Sequence, residues 1–342
     1  MVDMMYLVYR MTKKEYNSVF NSIQSYLKRY ISMSQLRKDR YDKNAYITNA
    51  FSKYGFQEIR LRSASYGYCS IEVRLRPKLT IDKDGYYSVT KLSEFQEVQN
   101  VFNFVFKDIL SLKVPDFFYW TAKRIEAAVD IRLPEQLIPK YLILFKRGYI
   151  PDYFLENDIT KKYLSSQNNF YLKSENKTVN WYNRYETLLK KEKESGKKFN
   201  DFTLTKGLFR FETQVRDGNE NVMDILNQQR LKNEVMKFYN LIVGKGDYHS
   251  FARAEQIISQ SKHNSRNRQG LINMLKMIGH CGGVAKAKKC YVNGQNAKGY
   301  TNKFGKTIKK LRDLNINPVL IPEEWGVDFI ENPFAKIEKV FE

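Results

Sequence analysis

Five stretches of this chain alternate between apolar and polar residues, and on the polar side they gather acids with arginine or tyrosine. Gln57-Glu58-Ile59-Arg60-Leu61-Arg62 and Ser70-Ile71-Glu72-Val73-Arg74-Leu75-Arg76 come first. Then follow Lys123-Arg124-Ile125-Glu126-Ala127-Ala128-Val129-Asp130-Ile131, Lys177-Thr178-Val179-Asn180-Trp181-Tyr182 and Gly207-Leu208-Phe209-Arg210-Phe211-Glu212-Thr213-Gln214-Val215-Arg216. Successive side chains of a strand point to opposite faces, so each stretch presents one apolar and one charged face. That period restricts the chain to an antiparallel sheet with one buried face and one open, charged face. The first two stretches form a hairpin, and Pro77 and Pro134 end strands because proline lacks the ladder donor.

Between the strands the apolar spacing changes to that of helices. Residues 11–50 are helical in tendency (Tyr16, Val19, Phe20, Ile23, Tyr26, Leu27), as are 91–113 (Phe95, Val98, Val101, Phe102, Val105, Phe106) and 135–147. Met1–Arg10 reads as a first strand without a signal peptide, 148–175 as an aromatic loop, 186–198 as a charge-dense helix and 221–260 as helical. The expectation is an α+β fold: a central antiparallel β-sheet with helices on one face and an open catalytic face, plus a mainly helical C-terminal region. The domains predicted are 1–220, a catalytic domain, and 221–342, a basic C-terminal region. Within the latter, 261–313 with its Gly282-Gly283 break is compatible with a winged helix-turn-helix, or equally with a helical extension carrying a solvated basic face.

Lys and Arg outnumber Asp and Glu 58 to 37, a net charge of +21. A surplus of that size favours a polyanionic partner through counterion release, with an anionic membrane surface as the competitor. No run approaches the roughly 18 apolar residues of a membrane span. Three scattered cysteines, Cys69, Cys281 and Cys290, suit a reduced, cytoplasmic protein. Cys281, Cys290, His263 and His280 raise a zinc site, but their spacing fits no common finger.

Acids clustered on a basic protein require a counter-ion. Carboxylates select Mg²⁺ or Mn²⁺. Tyr182 stands at a strand end with Arg184 two residues on, the arrangement of a nucleophile beside a charge stabiliser. Tyr185 is the rival nucleophile, and an ordinary core tyrosine is the bland alternative among 24.

Taken in order, Ile71-Glu72-Val73-Arg74, Lys123 to Asp130, Lys177 to Glu186 and Gly207 to Glu212 resemble the blocks of filamentous-phage gene II replication initiators and of Rep_trans-type plasmid initiators. The resemblance spans about residues 70 to 215 and consists of short patterns. It implies a site-specific, metal-dependent DNA endonuclease and strand transferase that starts rolling-circle replication through a 5′-phosphotyrosine link. It puts the nucleophile at Tyr182, its basic neighbour at Arg184 and the acids at Glu126 and Glu212, with Asp130 matching the plasmid type only; with Glu72 of the first block, these acids are the expected ligands of Mg²⁺ or Mn²⁺. The His-hydrophobic-His metal pair of many such initiators is absent among His249, His263 and His280. Origin DNA and a host helicase are the implied partners, and the plasmid relatives suggest a homodimer. Arg74, Arg76, Arg124, Arg210, Lys286, Lys288, Lys289, Lys309 and Lys310 are the expected DNA contacts. A non-catalytic origin- or RNA-binding protein and a mobilisation relaxase remain the competing readings.

Overall fold

The computed structural model describes residues 1–31, 36–64, 67–85, 87–155, 159–160, 169–196, 202–216, 219–292 and 297–342. Its strands in chain order are β1 (Val2–Met11), β2 (Arg37–Lys38), β3 (Ala45–Thr48), β4 (Phe56–Arg62), β5 (Cys69–Leu75) and β6 (Thr121–Arg132). They continue as β7 (Asn169–Lys173), β8 (Lys177–Asn183), β9 (Leu208–Arg216), β10 (Tyr248–His249) and β11 (Phe329–Ile330). The first nine form one antiparallel sheet in the order β2-β3-β4-β5-β1-β6-β9-β8-β7. The alternating stretches of the sequence are thus strands, and the 57–76 segment is the expected antiparallel hairpin.

β1 lies in the middle because it is the most apolar strand: Val2, Met5 and Leu7 are fully buried. Met5 stands opposite Leu75 of β5 and Ile125 of β6, which lines up an apolar row across three strands. Pairing between β1 and β6 is not regular. Val2 faces Ala127 and Met5 faces Ile125, so three steps along β1 match two along β6. Asp3 and Met4 therefore both stand against Glu126, a β-bulge. The extra residue resets the alternation, so Val2 and Met5 share the apolar face while Asp3 and Met4 share the polar one. The contacts agree: Met4 Sδ accepts from Arg74 Nε at 3.1 Å, and Asp3 pairs with Arg76 at 3.5 Å.

By contacts the chain divides into two units that interleave in sequence, whereas the sequence reading divides it once, at 220. One unit comprises Met1–Asp130, Ser195–Thr205 and Phe211–Val235. Its helix Lys13–Tyr30 starts at a capping box, in which Glu15 N donates to Thr12 Oγ1 and Thr12 N donates to Glu15 Oε2. Tyr16, Val19, Ile23 and Leu27 form its buried stripe. The helix stops at Tyr30, and the rest of the region read as helical holds β2 and β3, two and four residues long. The helix Phe95–Asn103 runs on into a π-turn at Phe104–Ile109, where Phe102 and Phe106 pack on Phe56 and Trp120.

The other unit comprises Ile131–Glu194, Lys206–Arg210 and Met236–Glu342. Trp181 of β8 packs within it against Phe145 of the helix Ile138–Lys146, against Phe170 of β7 and against Tyr239. β7 corrects the expectation of a loop through 148–175. The helices Phe251–Gln260, Ser265–His280, Val284–Val292 and Ala297–Asp313 follow. No hairpin wing comes after them among the described residues; 314–322 is irregular, and Pro318 and Pro322 deny it ladder donors. Among the described residues no helix is long and apolar enough to cross a membrane.

Candidate metal centre

Three carboxylates meet on the polar side of the sheet. Asp3 of β1, Glu126 of β6 and Glu212 of β9 each offer an oxygen, and these atoms lie within 4.8 Å of one another. β1 and β9 flank β6, which is why acids so distant in sequence converge. Glu212 reaches this side because it alternates with Phe209, Phe211 and Thr213. Asp3 reaches it only through the bulge. All three are buried, at 5%, 4% and 4% exposure, so water does little to separate their charges.

Neighbouring groups compensate in part. Arg124 pairs with Glu126 at 3.1 Å, and Gln214 Nε2 donates to Glu126 Oε1 at 2.7 Å. Burial and then the charge of Asp3 push the Glu126 carboxyl above its ordinary range, against the pull of Arg124, Arg76 and Arg74. Arg76, 3.5 Å from Asp3, and Arg124 thus place cations beside the acids. Oxygen-only donors on three rigid strands fit a hard divalent cation, Mg²⁺ or Mn²⁺, better than zinc. Among the described residues this is the one group of three or more His, Cys, Asp or Glu side chains able to converge on an ion. Cys281, Cys290, His263 and His280 do not form a zinc site there.

The remaining predicted ligands separate from this centre. Glu72 is buried in a network of its own, accepting from the Tyr6 hydroxyl and, at 3.3 Å, from Ser70 Oγ, with Arg60 at 4.0 Å. Burial and the bond to Glu72 raise the Tyr6 hydroxyl pKa. Asp130 is half-buried farther along β6 and is not one of the three converging acids.

The polar face is less open than its pattern implies. Arg210 is fully buried and Arg76 is 7% exposed, so neither presents a free guanidinium for DNA, while Arg74 is exposed and Arg124 half-buried. For Arg76 the physical reason is its pairing with the buried Asp3 at 3.5 Å. Lys286, Lys289 and Lys309 are exposed on the C-terminal helices, with Lys288 and Lys310 half-buried.

Tyr182 stands on β8 opposite Asn169, one residue before the strand ends, and is 5% exposed. Val179 and Trp181 alternate with it as predicted, but Thr178 on its own face is buried as well. Arg184 opens the helix Arg184–Ser195 and is 1% exposed. A buried cation in a helix's first turn opposes the macrodipole, so the position is costly without an anionic partner. Tyr185 lies half-buried, its ring 5.4 Å from Lys206 Nζ.

Asp3 is the residue that the sequence reading missed. Its signal is a single acid inside the apolar run Val2-Asp3-Met4-Met5-Tyr6-Leu7-Val8, and a lone charge in a central strand asks for a partner. Compared with known protein families, curated proteins and solved structures, the chain matches none.

Proposed function

We propose that this protein is a metal-dependent nickase that opens one DNA strand at a replication origin and later rejoins it. The observation that carries the reading is the meeting of Glu126 and Glu212. Those two acids are the ones that the resemblance to rolling-circle initiators singles out, and they lie on different strands. Asp3, Glu126 and Glu212 would hold Mg²⁺ or Mn²⁺, which when bound supplies charge neutralisation and polarises the phosphate's P–O bonds. The Tyr182 hydroxyl oxygen forms the new bond to phosphorus and loses its proton. The P–O3′ bond breaks, and the 3′ oxygen leaves with a proton as a free hydroxyl. Arg184 stabilises the added negative charge on the phosphoryl oxygens. Because the phosphodiester bond is exchanged rather than hydrolysed, a 3′ hydroxyl can reverse the step and release the tyrosine.

A second reading is favoured by the arginine pairs. Asp3 with Arg76 and Glu126 with Arg124 are what a structural charge network in a non-catalytic DNA-binding protein requires. A supercoiled plasmid carrying the protein's own replicon separates the two. Wild type with Mn²⁺ should give open circles and DNA that stays attached to protein in denaturant, and Tyr182→Phe should give neither. Nicking that persists in Tyr182→Phe would transfer the chemistry to Tyr185 or elsewhere. Salt-sensitive binding without any nicking by wild type would establish the network reading. A nick at a transfer origin would point to the relaxase instead.

A further inference from the structure

Within the second unit a groove of about 350 Å³ runs along the helix Ala297–Asp313. Its volume lies within the roughly 300–1,000 Å³ of ligand sites. Val284, Phe304 and Ile308 make an apolar wall, and Tyr149 and Leu241 contribute from outside these helices. Lys288, Lys309 and Arg312 also line it, and no lining residue is acidic. Lys288 Nζ donates to the Tyr149 hydroxyl at 3.0 Å and sits 4.7 Å from its ring centroid, which fixes both side chains at the edge.

Two further features show that the groove is built. Arg312 donates to the Val243 carbonyl at 3.3 Å, its Nε is buried without a hydrogen bond, and among the described residues it forms no ion pair. Its guanidinium occupies the space a Cβ at Gly244 would take, 2.3 Å from Arg312 Cζ, so that glycine seats it. Gly305 stands inside the helix, where glycine costs about 1 kcal/mol relative to alanine. A Cβ there would meet nothing within 4 Å, so packing does not demand glycine, and its missing side chain keeps the groove open. Lys303, Lys306 and Lys309 are all exposed and recur every third residue along the same helix.

We propose that this groove holds one nucleotide of single-stranded DNA, with the phosphate against Arg312 and Lys309 and the base against the half-buried Tyr149 and the exposed Leu241, over the buried floor of Phe304 and Ile308. A half-buried guanidinium without an ion pair among the described residues has donors left for an anion. The apolar wall calls for a flat, weakly polar group joined to it, and the lysine row suits a strand that continues beyond the groove rather than an isolated ion. The inference rests on the nucleic-acid part of the function proposed above and not on the nicking.

The test measures anisotropy of a labelled twelve-residue oligothymidylate with protein carrying Tyr182→Phe, so that no covalent adduct forms. Gly305→Trp fills the groove and should weaken binding on the order of tenfold, the scale of one lost base stack. Lys309→Glu should weaken it comparably and lower the salt slope by about one counterion or more, while Gly305→Ala should bind as wild type. Thymidine monophosphate should compete better than inorganic phosphate. Normal binding by folded Gly305→Trp overturns the inference, as does equal competition by phosphate alone; if Gly305→Trp does not fold, Lys309→Glu and the competition decide. Wild-type nicking with groove-independent oligonucleotide binding refutes the groove and leaves the nickase reading intact. Groove-dependent binding by a wild type that never nicks does the reverse.

Discussion

Asp3→Asn tests the metal centre at the residue only the fold reveals. The substitution keeps the shape of the side chain and removes one of three buried charges. At 4.8 Å or less, the repulsion it relieves is about 3 kcal/mol or more from each of Glu126 and Glu212 at an effective dielectric constant of about 20. The attraction it loses, to Arg76 at 3.5 Å, is about 5 kcal/mol on the same scale. Two repulsions and one attraction then differ by only about 2 kcal/mol, so in chelator the variant should melt within about 2 kcal/mol of wild type, a typical single-substitution effect. With Mn²⁺ at a hundred times its dissociation constant, wild type should gain about 2.7 kcal/mol. For a unit of this size that is a rise on the order of 5–10 °C. Asp3→Asn should lose most of that rise, as should Glu126→Gln and Glu212→Gln, while Asp130→Asn and Glu72→Gln should keep it. The assay is thermal melting across a Mn²⁺ titration. An equal Mn²⁺-dependent rise in wild type and Asp3→Asn would refute the centre as drawn, whatever the nicking assay shows.

Two more measurements probe the scaffold. His249 is 4% exposed, and burial, opposed by the bond from its Nε2 to the Asn315 carbonyl, holds its pKa below the ordinary 6.5. The unfolded chain then binds the extra proton, so stability should fall as pH drops below about 6.5, and the wild-type slope should exceed that of His249→Gln in melts from pH 7.5 to 5; parallel curves would refute it. Thr12→Ala removes the cap of the helix Lys13–Tyr30 and should cost about 1 kcal/mol in urea unfolding. Thr12 also holds the Glu15 carboxyl below its ordinary 4.5, so the wild-type advantage should be present above that pH and shrink as pH falls through it.

How legible the fold was follows from the length of each pattern. β4, β5, β6, β8 and β9 carry five or more alternating residues bounded by breakers, enough for a period of two to show. β2 and β3 are too short to show any period, and they took the helical character of the segment before them. β7 alternates only at Phe170 and Leu172, so its identity comes from pairing with β8. In the site, Glu126 and Glu212 were readable because both sit in unbroken alternation. Asp3 was not, since a regular strand would turn it toward Met5 and Leu7, and nothing local marks the bulge. Glu72 was assigned from the right face, but its occupation by Tyr6, Ser70 and Arg60 depends on neighbours in β1 and β4.

The order of the strands has a consequence for how the protein is made. β1 precedes both of its partners, β5 and β6, in the chain, and the last acid of the centre stands at Glu212. At roughly 5–20 residues per second, some 10–40 s separate the synthesis of Asp3 from that of Glu212. For the first part of that interval, until β6 has been made, the most apolar strand of the sheet waits with one or both of its edges unpaired. A chaperone that shields short apolar segments near the ribosome should therefore change the yield of this protein more than its final stability. The carboxylate cluster is complete only when β9 arrives.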